Sequence, residues 1–298
     1  QPARGGRRDG AGRDGGGRGR RFDDERGGRG SRPNPFARPA KPQPEAAAEP
    51  VAEPEAEPVV EPVVESEATS SDDTNTITVS AAASLTDSFT ALGAAFEQDN
   101  PGIAVRFNFA GSSTLAEQLA AGAPVDVFAA ASSEAMDRAV QAGTVEQPEL
   151  FATNTLAIAV PPNNPAQISR LDDLAHPDIT IVVCDVPVPC GAATQRLFDA
   201  NALFVVPASL ERDVRAVLTK VIQDEADAGI VYRTDITAAG DAVHGIDISS
   251  ESNVINSYPI AVTATADDSS RDLATQFVDF VLSDDGQSIL RSWGFGTP

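Results

Sequence analysis

The chain has 298 residues and a formal net charge of −22 at pH 7, with 22 basic and 44 acidic residues. This average charge argues against binding to nucleic acid or to an anionic membrane, and two cysteines with two histidines are too few for a zinc cluster or a scaffold of several disulfides. No apolar run reaches the roughly 18 residues of a membrane-spanning helix. Because Gln1 is followed by no hydrophobic signal core, we expect any targeting segment to lie outside this sequence.

The charge is unevenly distributed along the chain. Residues 1–41 are rich in Gly and Arg and hold twelve basic against five acidic residues, whereas 42–75 are rich in Pro and Glu and hold ten acidic residues and no basic one. Neither segment can bury enough apolar surface to offset the loss of chain entropy. We therefore predict a disordered tail over 1–75, with the Pro/Glu part as an extended spacer. The Arg-rich part could contact nucleic acid, but we expect no nucleic-acid partner.

From Thr76 onward, strand and helix patterns alternate, as in sheets whose parallel strands are joined by crossover helices. In the first part of this region, the apolar periodicity predicts strands over 76–82, 102–110, 125–131 and 155–161, and helices over 85–96, 114–121 and 134–142. In the second part it predicts strands over 179–184 and 228–232, helices over 192–200 and 210–224, a returning strand over 258–266, and closing helices over 270–282 and 285–293.

This order of elements predicts an α/β fold with two lobes. Each lobe is expected to contain a mixed, mostly parallel sheet flanked by helices, and the chain returns to the first lobe at its end. We place lobe one at about 76–158 plus 259–298, and lobe two at about 159–258.

Two serine-rich loops of lobe one end strands and begin helices. Ser84 with Asp87, and Thr114 with Glu117, have the spacing of a capping box, and Ser112 stands just before the second pair. One interpretation is that these hydroxyls only cap their own helices. The other is that they face an anion, since helix N-termini carry unpaired N–H groups and a partial positive charge. The loops alone do not separate the two.

Lobe two contributes further candidates. Cys184 and Cys190 flank a loop before a helix, and they would form a disulfide in an exported protein or remain free thiols in the cytosol. Val214 lies near the start of a helix, so only its backbone N–H could serve a ligand. Tyr232 ends a buried strand and is either a core residue or a hydroxyl donor.

Catalytic constellations are missing from the sequence. It contains no nucleophile elbow and no phosphate-binding loop with Lys. His176 and His244 stand next to Pro or Gly in predicted turns, and Lys41 and Lys220 lie in the tail and on a predicted helix. We therefore predict a binding protein and not an enzyme, with an enzyme on a two-lobed scaffold as a remote alternative.

Several separate motifs together resemble those of the molybdate-binding proteins of bacterial molybdate importers, over about residues 76–298. The motifs are ITVSAAASLTDSF (77–89), AGSSTLAEQLAAGAPVDVFAAAS (110–132), ADAGIVYRTD (226–235), SYPIAVT (257–263) and WGF (293–295). The resemblance implies the two-lobed type II periplasmic-binding-protein fold. It also implies a tetrahedral oxyanion, bound between the lobes by neutral donors.

By motif matching, the resemblance assigns five residues to the oxyanion. Ser84 and Ser112 would offer hydroxyl and main-chain N–H groups, Cys190 and Val214 main-chain N–H groups, and Tyr232 its hydroxyl. All five would contact oxygens of the molybdate ion and would not be direct ligands of the metal. Family members can carry Ala where this chain has Cys190, which makes a Cys184–Cys190 disulfide a specific expectation.

The resemblance also implies a biological setting. The protein would capture molybdate, and tungstate as well, outside the cytoplasm and deliver it to the membrane permease of an ABC importer. We expect a monomer without a cofactor. The alternatives left open are a binding protein for another oxyanion such as sulfate, and a ligand-sensing regulatory module.

Overall fold

The computed structural model describes residues 75–298, apart from the side chains of 268 and 269. The predictions for the tail therefore fall outside the described residues, except at position 75. The strands are β1 (Thr76–Ala82), β2 (Ala104–Ala110), β3 (Val127–Ala129), β4 (Glu149–Val160), β5 (Ile181–Cys184), β6 (Ser209–Glu211), β7 (Ala228–Tyr232), β8 (His244–Asp247) and β9 (Ile255–Val262).

Eight α-helices accompany these strands in the described residues. They are α1 (Thr86–Asp99), α2 (Ser112–Ala120), α3 (Ser133–Gln141), α4 (Pro189–Ala200), α5 (Val214–Ile222), α6 (Arg233–Ala239), α7 (Asp268–Leu282) and α8 (Asp284–Ser292). Short 3₁₀ turns lie at Ala83–Leu85, Leu171–Ala175 and Gly240–Ala242. No helix within 75–298 combines the length and the apolar character that crossing a membrane requires.

The strands follow the order β2-β1-β3-β9-β4-β7-β5-β6, and β8 pairs with β4. At one end β1 pairs in parallel with β2 and β3, and at the other end β5 pairs in parallel with β6 and β7. The antiparallel pair of β4 and β9 joins these two parallel sets. The predicted mixed α/β architecture is therefore confirmed, with four parallel and four antiparallel strand pairings in the described residues.

The buried apolar residues divide on either side of the β4–β9 pair. A first core combines two neighbouring clusters from 77–152 and 258–295, and includes Phe89, Phe151 and Phe277. A second core contains residues from 156 to 248, including Ile158 and Val217. We use "first core" and "second core" in this sense below. The lobe boundaries drawn from the sequence stay predictions.

One predicted helix begins in the wrong place. Residues 210 and 211, assigned above to a helix over 210–224, belong instead to the edge strand β6 beside β5. Helix α5 begins only at Val214, because the Asp213 side chain accepts a hydrogen bond of 2.9 Å from Ala216 N and caps the helix there. The patterns also missed α6 and β8, which are short elements between longer ones.

Candidate functional site

A small cavity lies between the two cores, at the ends of several strands. Its cavity volume is about 20 Å³, far below the roughly 300–1,000 Å³ of sites for drug-sized ligands. Its lining consists of Ala82, Ala83, Ser84, Gly111, Ser112, Ala131, Val188, Pro189, Cys190, Asp213, Val214 and Tyr232. All five residues assigned from the sequence thus meet at one cavity, whose size suits a small ion.

Helix N-termini converge on this cavity from both cores. Ser112 and Val214 are the first residues of α2 and α5, and Cys190 is the second residue of α4. The first N–H groups of a helix have no partner within it, and the helix dipole adds about half a positive charge at this end. The main-chain donors expected at Cys190 and Val214 are therefore in position to face an anion.

The two serine hydroxyls do not cap helices. Neither α1 nor α2 has a side-chain hydrogen bond at its N-cap residue. Ser84 Oγ instead lies 3.0 Å from Tyr258 Oη, and Ser112 Oγ accepts a hydrogen bond of 3.0 Å from Ala131 N. The capping interpretation is wrong for both, and each hydroxyl retains hydrogen-bonding capacity at the cavity.

Tyr232 combines the two roles considered for it. Its side chain is only 1% exposed and its ring packs edge-on against Tyr258, with ring centroids 5.8 Å apart. Tyr232 lines the cavity, and its hydroxyl accepts a hydrogen bond of 2.8 Å from Asn256 Nδ2. Burial raises the pKa of Tyr232 well above its ordinary value, so the hydroxyl keeps its proton and can donate it.

Comparison with known proteins identifies the family of this chain. The sequence signature described as "Bacterial extracellular solute-binding protein" matches residues 77–296. This chain belongs to that family. The solute-binding protein is 44% identical over 223 residues to the molybdate-binding protein ModA of Mycobacterium tuberculosis H37Rv, an alignment that covers 74% of this chain and 85% of the relative.

Solved structures show the same fold. The periplasmic molybdate-binding protein of Azotobacter vinelandii superposes with a TM-score of 0.65 at 18% identity, covering 74% of this chain and 99% of that one. The sulfate-binding protein SubI of M. tuberculosis H37Rv also gives 0.65, at 22% identity, with coverages of 74% and 86%. The resemblance stated from the sequence motifs and the predicted periplasmic-binding-protein fold are both confirmed.

Several contacts join the two cores of this solute-binding protein beside the cavity. Ser113 Oγ donates to Pro187 O at 2.6 Å, and Arg215 on α5 donates through Nε to Ala83 O at 3.3 Å. Arg215 also forms an ion pair with Asp87 on α1. A Cβ added to Gly111 would lie 2.7 Å from Arg212 O, so the two cores approach closely there. The two cores are therefore in direct contact beside the cavity.

The cavity offers neutral donors to a ligand. Within the described residues, its lining includes no Lys or Arg. The one acidic lining residue is Asp213, whose carboxylate is occupied in capping α5. Behind Tyr232, the fully buried Asp235 accepts a hydrogen bond from Tyr232 N, and Arg215 Nε lies 3.4 Å from its other oxygen. Burial raises the pKa of Asp235 to about 7, against the opposing effect of Arg215.

Cys184 and Cys190 form a disulfide, and the alternative of two free thiols is wrong for this structure. The bridge joins the end of β5 to the first turn of α4. It therefore ties the Cys190 N–H, one of the expected donors, to the central sheet.

Removing this disulfide, by Cys184→Ser together with Cys190→Ser, is expected to lower the free energy of unfolding by about 2 kcal/mol. The reason is that the bridge restricts the unfolded chain over a short loop. Denaturant unfolding of the double variant against wild type measures the loss. A thiol assay on unfolded, unreduced wild-type protein is the control, and two free thiols there would contradict the bridge.

Sequence reasoning missed the residues behind the cavity. Asn154, Asn256 and Tyr258 lie on the β4–β9 pair and contact Ser84 or Tyr232, directly or through one another. The sequence places Tyr258 on a strand between the lobes, but no local motif marks either asparagine. The antiparallel register that opposes Asn154 to Asn256 was the missing information.

Proposed function

We propose that this protein captures molybdate in the cavity between its two cores and delivers it to the permease of an ABC importer. The observation that carries the proposal is the convergence of Ser84, Ser112, Cys190, Val214 and Tyr232 on one small cavity. The 44% identity to a protein named molybdate-binding protein ModA supports molybdate as the ligand.

The proposed mechanism is capture by preorganised neutral donors. An oxyanion that leaves water loses strong hydrogen bonds. Several O–H and N–H donors that already point at the cavity offset this loss, because charge-assisted hydrogen bonds are stronger in surroundings of low dielectric constant. The helix N-termini add a favourable potential without any Lys or Arg at the ligand. Closure of the two cores would then shield the ion from water.

The same site would hold tungstate, an ion of the same charge and similar size. Sulfate has the same charge and shape but is smaller, so a cavity sized for molybdate would leave sulfate oxygens farther from some donors. The structural likeness to a sulfate-binding protein makes sulfate the competing ligand to test.

Titration calorimetry of the full chain with molybdate, tungstate, sulfate and phosphate tests the proposal. We expect molybdate and tungstate to bind more tightly than sulfate, and phosphate most weakly. The absence of molybdate binding, or a preference for sulfate, would refute the assignment.

Single substitutions test the site. Ser112→Ala and Tyr232→Phe are each expected to weaken molybdate binding by about 1–3 kcal/mol, because each removes one hydroxyl donor from a buried anion. Ser88→Ala is the matched control, since this buried hydroxyl donates to Leu85 O and does not line the cavity. Equal affinity in wild type and both site variants would remove these residues from the binding site.

The setting of this function is part of the proposal. We infer that the protein acts outside the cytoplasm as a monomeric binding protein without catalytic activity. Its family of extracellular solute-binding proteins supports this location. The Cys184–Cys190 disulfide supports it independently, because disulfides persist mainly in oxidising compartments.

A further inference from the structure

Arg215 joins the second core to the first. It is the second residue of α5 and directly follows Val214, which lines the cavity. Its Nε donates to Ala83 O at 3.3 Å, and its Nη2 forms an ion pair with Asp87. Asp87 is the second residue of α1, which packs in the first core. One side chain of α5 therefore contacts the segment that carries Ser84 on both sides of this serine.

Asp235 holds this arginine in place from within the second core. Asp235 lies on α6 and is fully buried, and one of its carboxyl oxygens accepts a hydrogen bond of 3.0 Å from Tyr232 N. The other oxygen, Oδ1, accepts no hydrogen bond from the described residues and lies 3.4 Å from Arg215 Nε. Arg215 is therefore the cationic group that faces this oxygen. Because its side chain is already fixed at one end, it loses less conformational entropy when it binds the first core.

A second ion pair between the cores provides a comparison. Arg196 on α4 of the second core and Glu134 on α3 of the first core lie 3.6 Å apart, measured from Nη1 to Oε1. These side chains are 42% and 63% exposed, whereas those of Arg215 and Asp87 are 28% and 35% exposed. Water and salt screen an exposed ion pair more strongly than a partly buried one. Of these two contacts, the pair of Arg215 and Asp87 is therefore the stronger.

We propose that Arg215 is a positioning residue that holds the two cores together around a bound ligand and thereby slows the release of that ligand. Arg215 does not line the cavity, so its effect passes through the contact between the cores. This contact joins residues of different cores and must break whenever the cores separate. A ligand enclosed between the cores can leave only after that separation. The inference rests on the proposed function, and it assigns control of the release step to a residue outside the five that line the cavity.

Arg215→Gln tests the inference directly, because it removes the charge and leaves a polar side chain. We expect the rate constant of molybdate dissociation to rise about tenfold and the association rate constant to change less than about threefold. The reason is that breaking a partly desolvated charge pair acts mainly on dissociation. Dissociation is measured on the full chain as the exchange of bound radiolabelled molybdate for excess unlabelled molybdate. Calorimetry gives the affinity, and the two values together give the association rate constant.

Asp87→Asn separates a contact between the cores from a simple attraction between Arg215 and the anion. It removes a negative charge from a residue near the cavity, so long-range electrostatics alone would strengthen anion binding and slow release. Loss of the ion pair has the opposite effect, and we expect release to become several-fold faster. The substitution keeps the shape of a half-exposed side chain in the first core. It therefore decides the matter if Arg215→Gln does not fold.

Glu134→Gln is the matched control. Glu134 and Asp87 are both acidic residues in the first turn of a helix of the first core, and each pairs with an arginine of the second core. The two variants therefore change the net charge and the charge at a helix N-terminus equally. Because the pair of Glu134 is the more exposed one, we expect this variant to release molybdate within about twofold of the wild-type rate.

The outcomes separate this inference from the proposed function. If wild type binds molybdate but the folded Arg215 and Asp87 variants release it at the wild-type rate, the inference is overturned and the function stands. The same conclusion follows if Asp87→Asn slows release, since Arg215 would then act as a charge near the anion. It also follows if Glu134→Gln speeds release as much as Asp87→Asn. If wild type does not bind molybdate, both the inference and the function are overturned.

Discussion

Gly191→Ala is expected to lower the free energy of unfolding by about 3 kcal/mol or more and to weaken molybdate binding by the protein that still folds. A Cβ built on Gly191 would lie 1.9 Å from Asp185 O and 2.8 Å from Cys184 O. Both contacts are with backbone, so no side chain can move aside. The Cys184–Cys190 disulfide holds the same segment and prevents the loop from separating from α4.

The effect on binding follows from the position of this glycine. Gly191 directly follows Cys190 in the first turn of α4, so relief of the clash must shift the turn that presents the Cys190 N–H to the cavity. Displacing preorganised donors weakens a site that relies on their geometry. The measurements are denaturant unfolding and molybdate titration of the same preparation.

Gly286→Ala is the matched control for this substitution. A Cβ on Gly286 would lie 2.1 Å from Phe280 O, a comparable backbone clash in the first turn of α8, whose residues do not line the cavity. We expect it to lower stability similarly and to leave the molybdate affinity of folded protein unchanged. Equal losses of affinity in both variants would contradict the role given to the α4 turn.

Asp235→Asn is expected to remove a strong pH dependence of stability. The Asp235 carboxyl is fully buried, and its pKa is raised from 3.8 to about 7, mainly by burial and partly by Asp87 and Asp213, while Arg215 opposes the shift. The folded protein therefore holds a proton that the unfolded chain releases near pH 3.8. The stability that this group contributes is complete below that pH and is lost as pH rises through about 7.

The expected change in stability follows from the pH range between the pKa of Asp235 in the unfolded chain and its pKa in the folded protein. Between the pKa values of the unfolded and the folded state, the free energy of unfolding falls by about 1.4 kcal/mol for each pH unit. The free energy of unfolding of wild type should therefore fall by about 2–3 kcal/mol from pH 5 to pH 7 because of Asp235. Asparagine has no titrating group, and its Oδ1 can still accept from Tyr232 N. The unfolding free energy of Asp235→Asn relative to wild type should therefore rise by about 2–3 kcal/mol over the same interval.

Denaturant unfolding of both proteins at pH 5, 6 and 7 measures this difference. Asp247→Asn is the control, because Asp247 pairs with Arg233 on the surface, with 74% of its side chain exposed. Its effect should stay within about 0.5 kcal/mol at every pH. If the free energies of unfolding of wild type and Asp235→Asn change equally with pH, Asp235 does not titrate between pH 5 and pH 7.

Much of the fold follows from local patterns. The strands over 76–82 and 228–232 are where the apolar runs predict them, and α1, α3 and α8 lie within a few residues of their predicted bounds. The wrong helix prediction at 210 and 211 has a local cause as well. Leu210 fits the helical spacing of the apolar residues in α5. In the folded structure it lies in β6 instead, where it pairs with Val183 of β5. Strand pairing thus overrode a helical pattern, because a short apolar segment is compatible with either structure.

The sequence motifs, through their resemblance to those of molybdate-binding proteins, identified the five residues that line the cavity. Ser84, Ser112, Cys190, Val214 and Tyr232 lie at or next to junctions of strands and helices, and such junctions meet at one edge of an α/β sheet. The hydrogen-bond partners and the pKa values of these groups follow from the folded structure. The pairing of Asn154 with Asn256 and the contact of Tyr258 with Ser84 join residues that lie far apart in the chain, and the raised pKa of the Asp235 carboxyl depends on its burial. Hydrogen bonding and pKa are set by three-dimensional neighbours, and no local pattern in the sequence encodes them.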